Sequence, residues 1–149
     1  MPRLWLSVYL SFGKMLFRRI NIRNWEITFA FLFGKEDVDS IVRLLAEAEA
    51  SDKIIKTVRK NILRERDNEG FCFSNPSLRK SVAGIGYTSS GEEFLNSSIH
   101  EIVHLVQDIA KTDGLDPYGE SAAYLGGDIS SKISDIVCRF SCDKCREAS

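Results

Sequence analysis

Histidine is nearly missing from this chain, with two in 149 residues. Any metal site built from three imidazoles of one chain is thereby excluded. There is no internal repeat and no low-complexity segment. No apolar run reaches the roughly 20 residues that a membrane-spanning helix needs, so no membrane partner is expected. Cysteine is limited to Cys72, Cys138, Cys142 and Cys145. An all-cysteine zinc site would have to recruit Cys72 from far away, and a single disulfide has no obvious pairing. The four therefore read as thiols in a reducing, cytoplasmic compartment. Net charge is −1, yet residues 1–80 carry 15 basic and 10 acidic side chains, while residues 81–149 carry 5 and 11. The length fits one domain with a real core, and 44% hydrophobic with 28% charged residues is ordinary globular composition.

What is present is concentrated. Both histidines fall in His100-Glu101-Ile102-Val103-His104. On a helix, residues four apart share a face, so two imidazoles can converge on one metal ion. The intervening Glu101 is then placed to take a proton from a metal-bound water. Ser90-Gly91-Glu92-Glu93 upstream reads as a capping box, and Thr112-Asp113-Gly114 as a stop, which predicts a helix ending near Lys111. Its apolar stripe is read as Leu95, Ile99, Ile102, Val106 and Ile109, with His100, His104 and Asp108 opposite. The bland alternative is two ordinary histidines flanking a solvated glutamate; their i, i+4 pairing in a chain with no others argues against it.

With no third histidine, a third protein ligand would be a carboxylate or a thiolate. Fifteen residues separate His104 from Glu120, which lies on a second helix predicted to start with Asp116 as N-cap and Pro117 in its first turn. An antiparallel return of that helix is expected to bring Glu120 to the histidines. Asp113 and Asp116 read as turn and cap residues. Asp108, one turn beyond His104, reads either as an acceptor orienting a ligand imidazole or as a solvated aspartate.

Upstream, Met15–Ile22 and Trp25–Phe33 are rich in β-branched and aromatic residues around Arg23-Asn24, a predicted β-hairpin. Glu36–Ala50 and Asp52–Arg66 read as amphipathic helices. The second bears a basic face (Lys53, Lys56, Arg59, Lys60, Arg64, Arg66) taken as solvated rather than as a nucleic-acid surface. Gly70–Ser77 and Ser81–Thr88 read as strands. Gly126-Gly127 is expected to interrupt the second C-terminal helix, allowing either close packing or a kink. Residues 1–14 are treated as an extension in preference to a secretory signal, and residues 141–149 as a frayed tail.

From Val82 to Asp128 the chain resembles the gluzincins, thermolysin-like zinc metallopeptidases in which H-E-x-x-H is completed by a downstream glutamate. The motif is specific at His100–His104 and suggestive at Glu120–Tyr124. The resemblance implies a single zincin-like α+β domain over residues 1–149: a small, mostly antiparallel sheet packed on the His-bearing helix and a second C-terminal helix. It also implies one Zn²⁺ per chain on His100, His104 and Glu120, with Glu101 as general base and Tyr124 as a donor to the oxyanion. Tyr118 and Tyr87 are alternatives to Tyr124. The substrate is then a peptide or protein pairing along Val82–Tyr87 by strand addition. Only about 20 residues follow Gly127, so the far wall of a gluzincin cleft would be absent or supplied by a partner chain. The rival expectation is a non-catalytic module in which zinc staples two helices.

Overall fold

The computed structural model describes residues 15–64 and 70–148. The N-terminal extension and the last two residues of the predicted helix Asp52–Arg66 lie outside these. The hairpin is present: β1 (Leu16–Ile22) and β2 (Trp25–Phe33) pair antiparallel. Arg23 and Asn24 form the two-residue turn at φ 53° and 58°, the left-handed pair whose twist matches the flanking strands. Strands β3 (Phe71–Asn75) and β4 (Lys80–Gly86) complete a four-stranded sheet in the order β1-β2-β4-β3. The β3–β4 pair is antiparallel and the central β2–β4 pair is parallel. The architecture is α+β with a mixed sheet. A parallel neighbour needs a crossover, and here the chain passes through α1 (Val38–Glu47), α2 (Asp52–Leu63) and then β3 before entering β4.

Alternation along β2 sorts two cores. Trp25, Ile27, Phe29 and Phe31 join one cluster, and Ala30 joins the other with Ile41, Leu45 and Val58 from α1 and α2. A bulge interrupts this period between Phe31 and Phe33. There Leu32 takes φ 63°, so that two consecutive residues face the first core and Phe33 turns to the second. That left-handed φ is costly for a branched side chain and is held by burial on both sides.

The first core is roofed by α3 (Gly91–Asp113), α4 (Glu120–Lys132) and α5 (Ser134–Ser141). Helix α3 begins as the sequence predicts: the Ser90 hydroxyl accepts the Glu93 N–H at 3.2 Å. It ends at Gly114, φ 68°, just beyond the expected stop. Helix α4 departs from expectation at its start. Asp116 is not its N-cap; its carboxylate accepts the Tyr118 N–H in a turn, and the helix opens three residues later with Gly119 as N-cap. The helix also runs unbroken through Gly126-Gly127. A Cβ on Gly126 would stand in ordinary contact with Val106 Cγ2 at 3.5 Å and one on Gly127 would meet nothing within 4 Å, so neither glycine is required by packing, and the break falls at Ile133 between α4 and α5. The C-terminal segment is not frayed in the described residues. It forms a short helix, α6 (Asp143–Glu147), and Asp143 Oδ1 accepts the Gly91 N–H at the start of α3 at 2.8 Å.

The far end of α3 is tied to the sheet by charge. Asp113 accepts from Arg79 at 2.7 Å and from Arg23 at 3.0 Å, linking the β1–β2 turn and the residue before β4 to the helix end. These hydrogen bonds hold the Asp113 carboxyl down at about 2. A carboxylate depressed in the folded state adds stability above its unfolded value, near 3.9, and loses it as pH falls through its folded one. Asp113→Asn should therefore flatten the acid limb of stability between about pH 4 and pH 2, which denaturant melts across that range will read.

Candidate metal centre

His100 and His104 are both exposed on α3, and their Nε2 atoms lie 3.1 Å apart. Four residues is one turn plus about 40°, so the rings stack along one flank of the helix, with centroids 4.8 Å apart and planes at 70°. Tetrahedral zinc with Zn–N of about 2.0–2.1 Å separates two nitrogen ligands by roughly 3.3 Å. The pair as it stands fits one such ion.

Glu101, unlike the two histidines, is buried. It is 4% exposed, and its Oε2 is buried without a hydrogen-bond partner. A Cβ on Gly70 would meet Glu101 Oε1 at 2.7 Å, so the carboxylate lies against the backbone that enters β3, and only glycine leaves it room. Burial raises this carboxyl above its ordinary value, and the two histidines pull it back. On a helical wheel His104 is about 60° from Glu101 and His100 about 100°. The imidazoles thus project past the flank of α3 on the side where Glu101 meets β3.

This orientation corrects the predicted stripe. Leu95 and Ile99 are exposed at 43% and 47%, and the core face is instead Phe94, Ser98, Glu101, Ile102, Leu105 and Ile109. The sheet approaches α3 from the Glu101 side, rotating the buried arc by more than half a turn-step from the one apolar residues alone suggest. Asp108 turns inward too. Its carboxylate accepts from Ser74 at 2.6 Å and lies 4.0 Å from Cys72 Sγ. Ser74 meets Ser81 at 2.7 Å, and Ser81 accepts from Trp25 Nε1 at 2.9 Å. This chain of contacts fixes α3 on β3 rather than orienting an imidazole. The Cys72 thiol inside it is pushed far up, first by burial and then by the Asp108 and Glu101 charges.

Glu120 is not brought to the histidines. Gly126 lies beside Val106, and among the described residues Glu120 is not grouped with His100 and His104. Helix α3 continues nine residues past His104 and α4 starts only at Glu120, so the glutamate sits at the hinge of the helix pair. It also shares its outward face with Tyr124, which is 70% exposed, opposite the buried Ala122, Leu125 and Ile129. Tyr118 is 96% exposed and Tyr87 lies under the Arg146 guanidinium. Among the described residues no three His, Cys, Asp or Glu side chains are grouped to hold a metal. The donors present are two.

Val82–Tyr87 is not an open shelf. Strand β4 is interior, bonded to β2 on one side and β3 on the other. Among the described residues the edge strands are β1 and β3, and of the two it is β3 that lies beside Glu101 and Asp108. No helix of the described residues is long and apolar enough to cross a membrane. No protein-family model, curated protein or solved structure matches the chain.

Proposed function

We propose that the protein is a zinc-dependent hydrolase of peptide bonds with a zincin-like arrangement, in which His100 and His104 hold the metal and Glu101 is the general base. The observation that carries this reading is the pairing of two Nε2 atoms 3.1 Å apart with a buried carboxylate whose Oε2 has no partner. Zinc, when bound, acidifies a coordinated water and polarises the scissile carbonyl. The chain's own residues do the rest. Glu101 accepts a proton from the water and returns it to the leaving amine, and burial holds its carboxyl above the ordinary carboxylate value. An extended peptide pairs along the outer edge of β3, its backbone satisfying the strand's unpaired N–H and C=O groups. Among the described residues no third side chain is grouped with the two histidines, so the remaining position is open to the substrate or to a partner chain.

A second reading has its own support. Two exposed imidazoles with no third ligand also suit a non-catalytic module whose metal is shared with a partner chain. Metal titration separates the two. Hydrolysis predicts one zinc per chain on a monomer, with affinity falling at least about tenfold in His104→Ala. A bridging module predicts one zinc per two chains and zinc-dependent dimerisation. Absence of zinc binding under zinc-replete conditions sinks both.

A further inference from the structure

The C-terminal cysteines stand apart from the metal centre and are not used by it. Helix α6 is built on Cys142-Asp143-Lys144-Cys145. Cys142 is the N-cap residue, in extended conformation at φ −99° and ψ 118°, and its Sγ accepts the Cys145 N–H at 3.4 Å. A cap residue and the third residue of the following turn lie within the Cα separation that a disulfide spans, about 4.4–6.8 Å. Both side chains are reachable: Cys145 is exposed and Cys142 half-buried, and neither is in a disulfide. The surrounding backbone is held from outside. Asp143 accepts from Gly91 N, and Arg146 donates to the Thr88 carbonyl at 2.7 Å. Gly91 itself is crossed so closely by α5 that a Cβ there would collide with the Ser141 carbonyl.

We propose that Cys142 and Cys145 form a thiol–disulfide exchange site, with Cys142 as the attacking thiol, Cys145 as the resolving thiol, and low-molecular-weight disulfides of the glutathione type as the oxidant. The Cys142 thiolate attacks one sulfur of the small disulfide, its S–S bond breaks, and one small thiolate leaves. The Cys145 thiol then loses its proton to solvent. Its sulfur attacks Cys142 in the mixed disulfide, and the second small thiolate leaves. The protein dithiol is oxidised by two electrons and the small disulfide is reduced to two thiols. The division of labour follows from the hydrogen bond: the Cys142 sulfur accepts the Cys145 N–H at 3.4 Å, which favours its thiolate. Cys142 is lowered by its contact with the Cys145 thiol and by the N–H groups of Cys145 and Lys144. Cys145 is raised by that same contact and by the charge on Cys142. Ring closure also fixes the first turn of α6, and with it the hold of Asp143 and Arg146 on the entry to α3.

The test uses the reduced full chain, oxidised glutathione at pH 7, and intact-mass and peptide mapping. The wild type should lose two hydrogens and show a Cys142–Cys145 disulfide with no lasting adduct. Cys145→Ser should retain one glutathione on Cys142. Cys142→Ser should slow modification roughly tenfold, to the rate of exposed Cys138. A Cys138–Cys142 disulfide, a lasting adduct on wild-type Cys142, or equal reactivity of Cys138 and Cys142 would overturn the assignment.

Discussion

Glu101→Gln should abolish peptide hydrolysis, by at least about 100-fold, while zinc is retained at the wild-type stoichiometry. The substitution keeps the side chain's shape against Gly70 and leaves His100 and His104 untouched, so only the proton acceptor is lost. It should cost no stability. A buried carboxyl with an unpartnered oxygen is itself a burden on the fold, and an unsatisfied buried acceptor costs about 1–3 kcal/mol. The variant is therefore expected to match the wild type in denaturant melts or to exceed it by about 1 kcal/mol. Cleavage of a mixed peptide library, read by mass spectrometry, measures the first effect, and urea melts measure the second. Loss of activity joined to a gain in stability marks a group kept for chemistry. Undiminished cleavage by the variant would remove Glu101 from the mechanism, and no cleavage by the wild type would leave the metal-bridging module.

Local signals were legible where one residue's chemistry decides the outcome. Arg23-Asn24 between two β-rich runs has few alternatives to a tight hairpin. Ser90 three residues before Glu93 and Gly114 after Asp113 fix the two ends of α3 through backbone N–H and C=O groups that must find partners. The pairing of His100 with His104 follows from helical pitch alone. What was not legible depends on elements meeting in space. The wheel of α3 shows which residues are apolar, but not which flank the sheet approaches, so it places Leu95 and Ile99 in the core stripe, where the structure exposes them and buries Phe94 and Ser98 instead. Glu120 was read as a ligand because a short connection permits antiparallel packing. Where it falls along α3 depends on how far that helix overshoots His104, and on Asp116 spending its carboxylate on a turn instead of a cap. The choice of β3 over β4 as edge strand needed the parallel pairing of β2 with β4, a contact across some fifty residues that leaves no mark in either strand's composition.

Phe94→Ala tests whether the geometry at Glu101 is held by this packing. Phe94 is fully buried, one face toward Phe31 of β2 at 6.2 Å between ring centroids and another toward Phe140 of α5 at 5.9 Å. It lies two helical turns before Glu101 on the same inward arc. Truncating a phenylalanine in such a position removes its transfer free energy and opens a cavity that three elements line, a loss of about 3–5 kcal/mol. For a domain of this size that is a large part of the total stability, about 5–15 kcal/mol. Urea denaturation should show the unfolding free energy falling by this amount, through a lower midpoint with the slope unchanged. Tyr124→Ala, at an exposed site on α4, should stay within about 0.5 kcal/mol. Because the cavity opens between α3 and β2, the helix is free to settle toward the sheet. Zinc affinity of Phe94→Ala, measured where the variant is still folded, should therefore fall less than its stability does. His100 and His104 keep their mutual spacing through the pitch of α3 whatever that helix rests on, whereas the approach of Glu101 to Gly70 depends on where α3 rests. A Phe94→Ala protein that binds zinc normally but hydrolyses poorly is the expected phenotype.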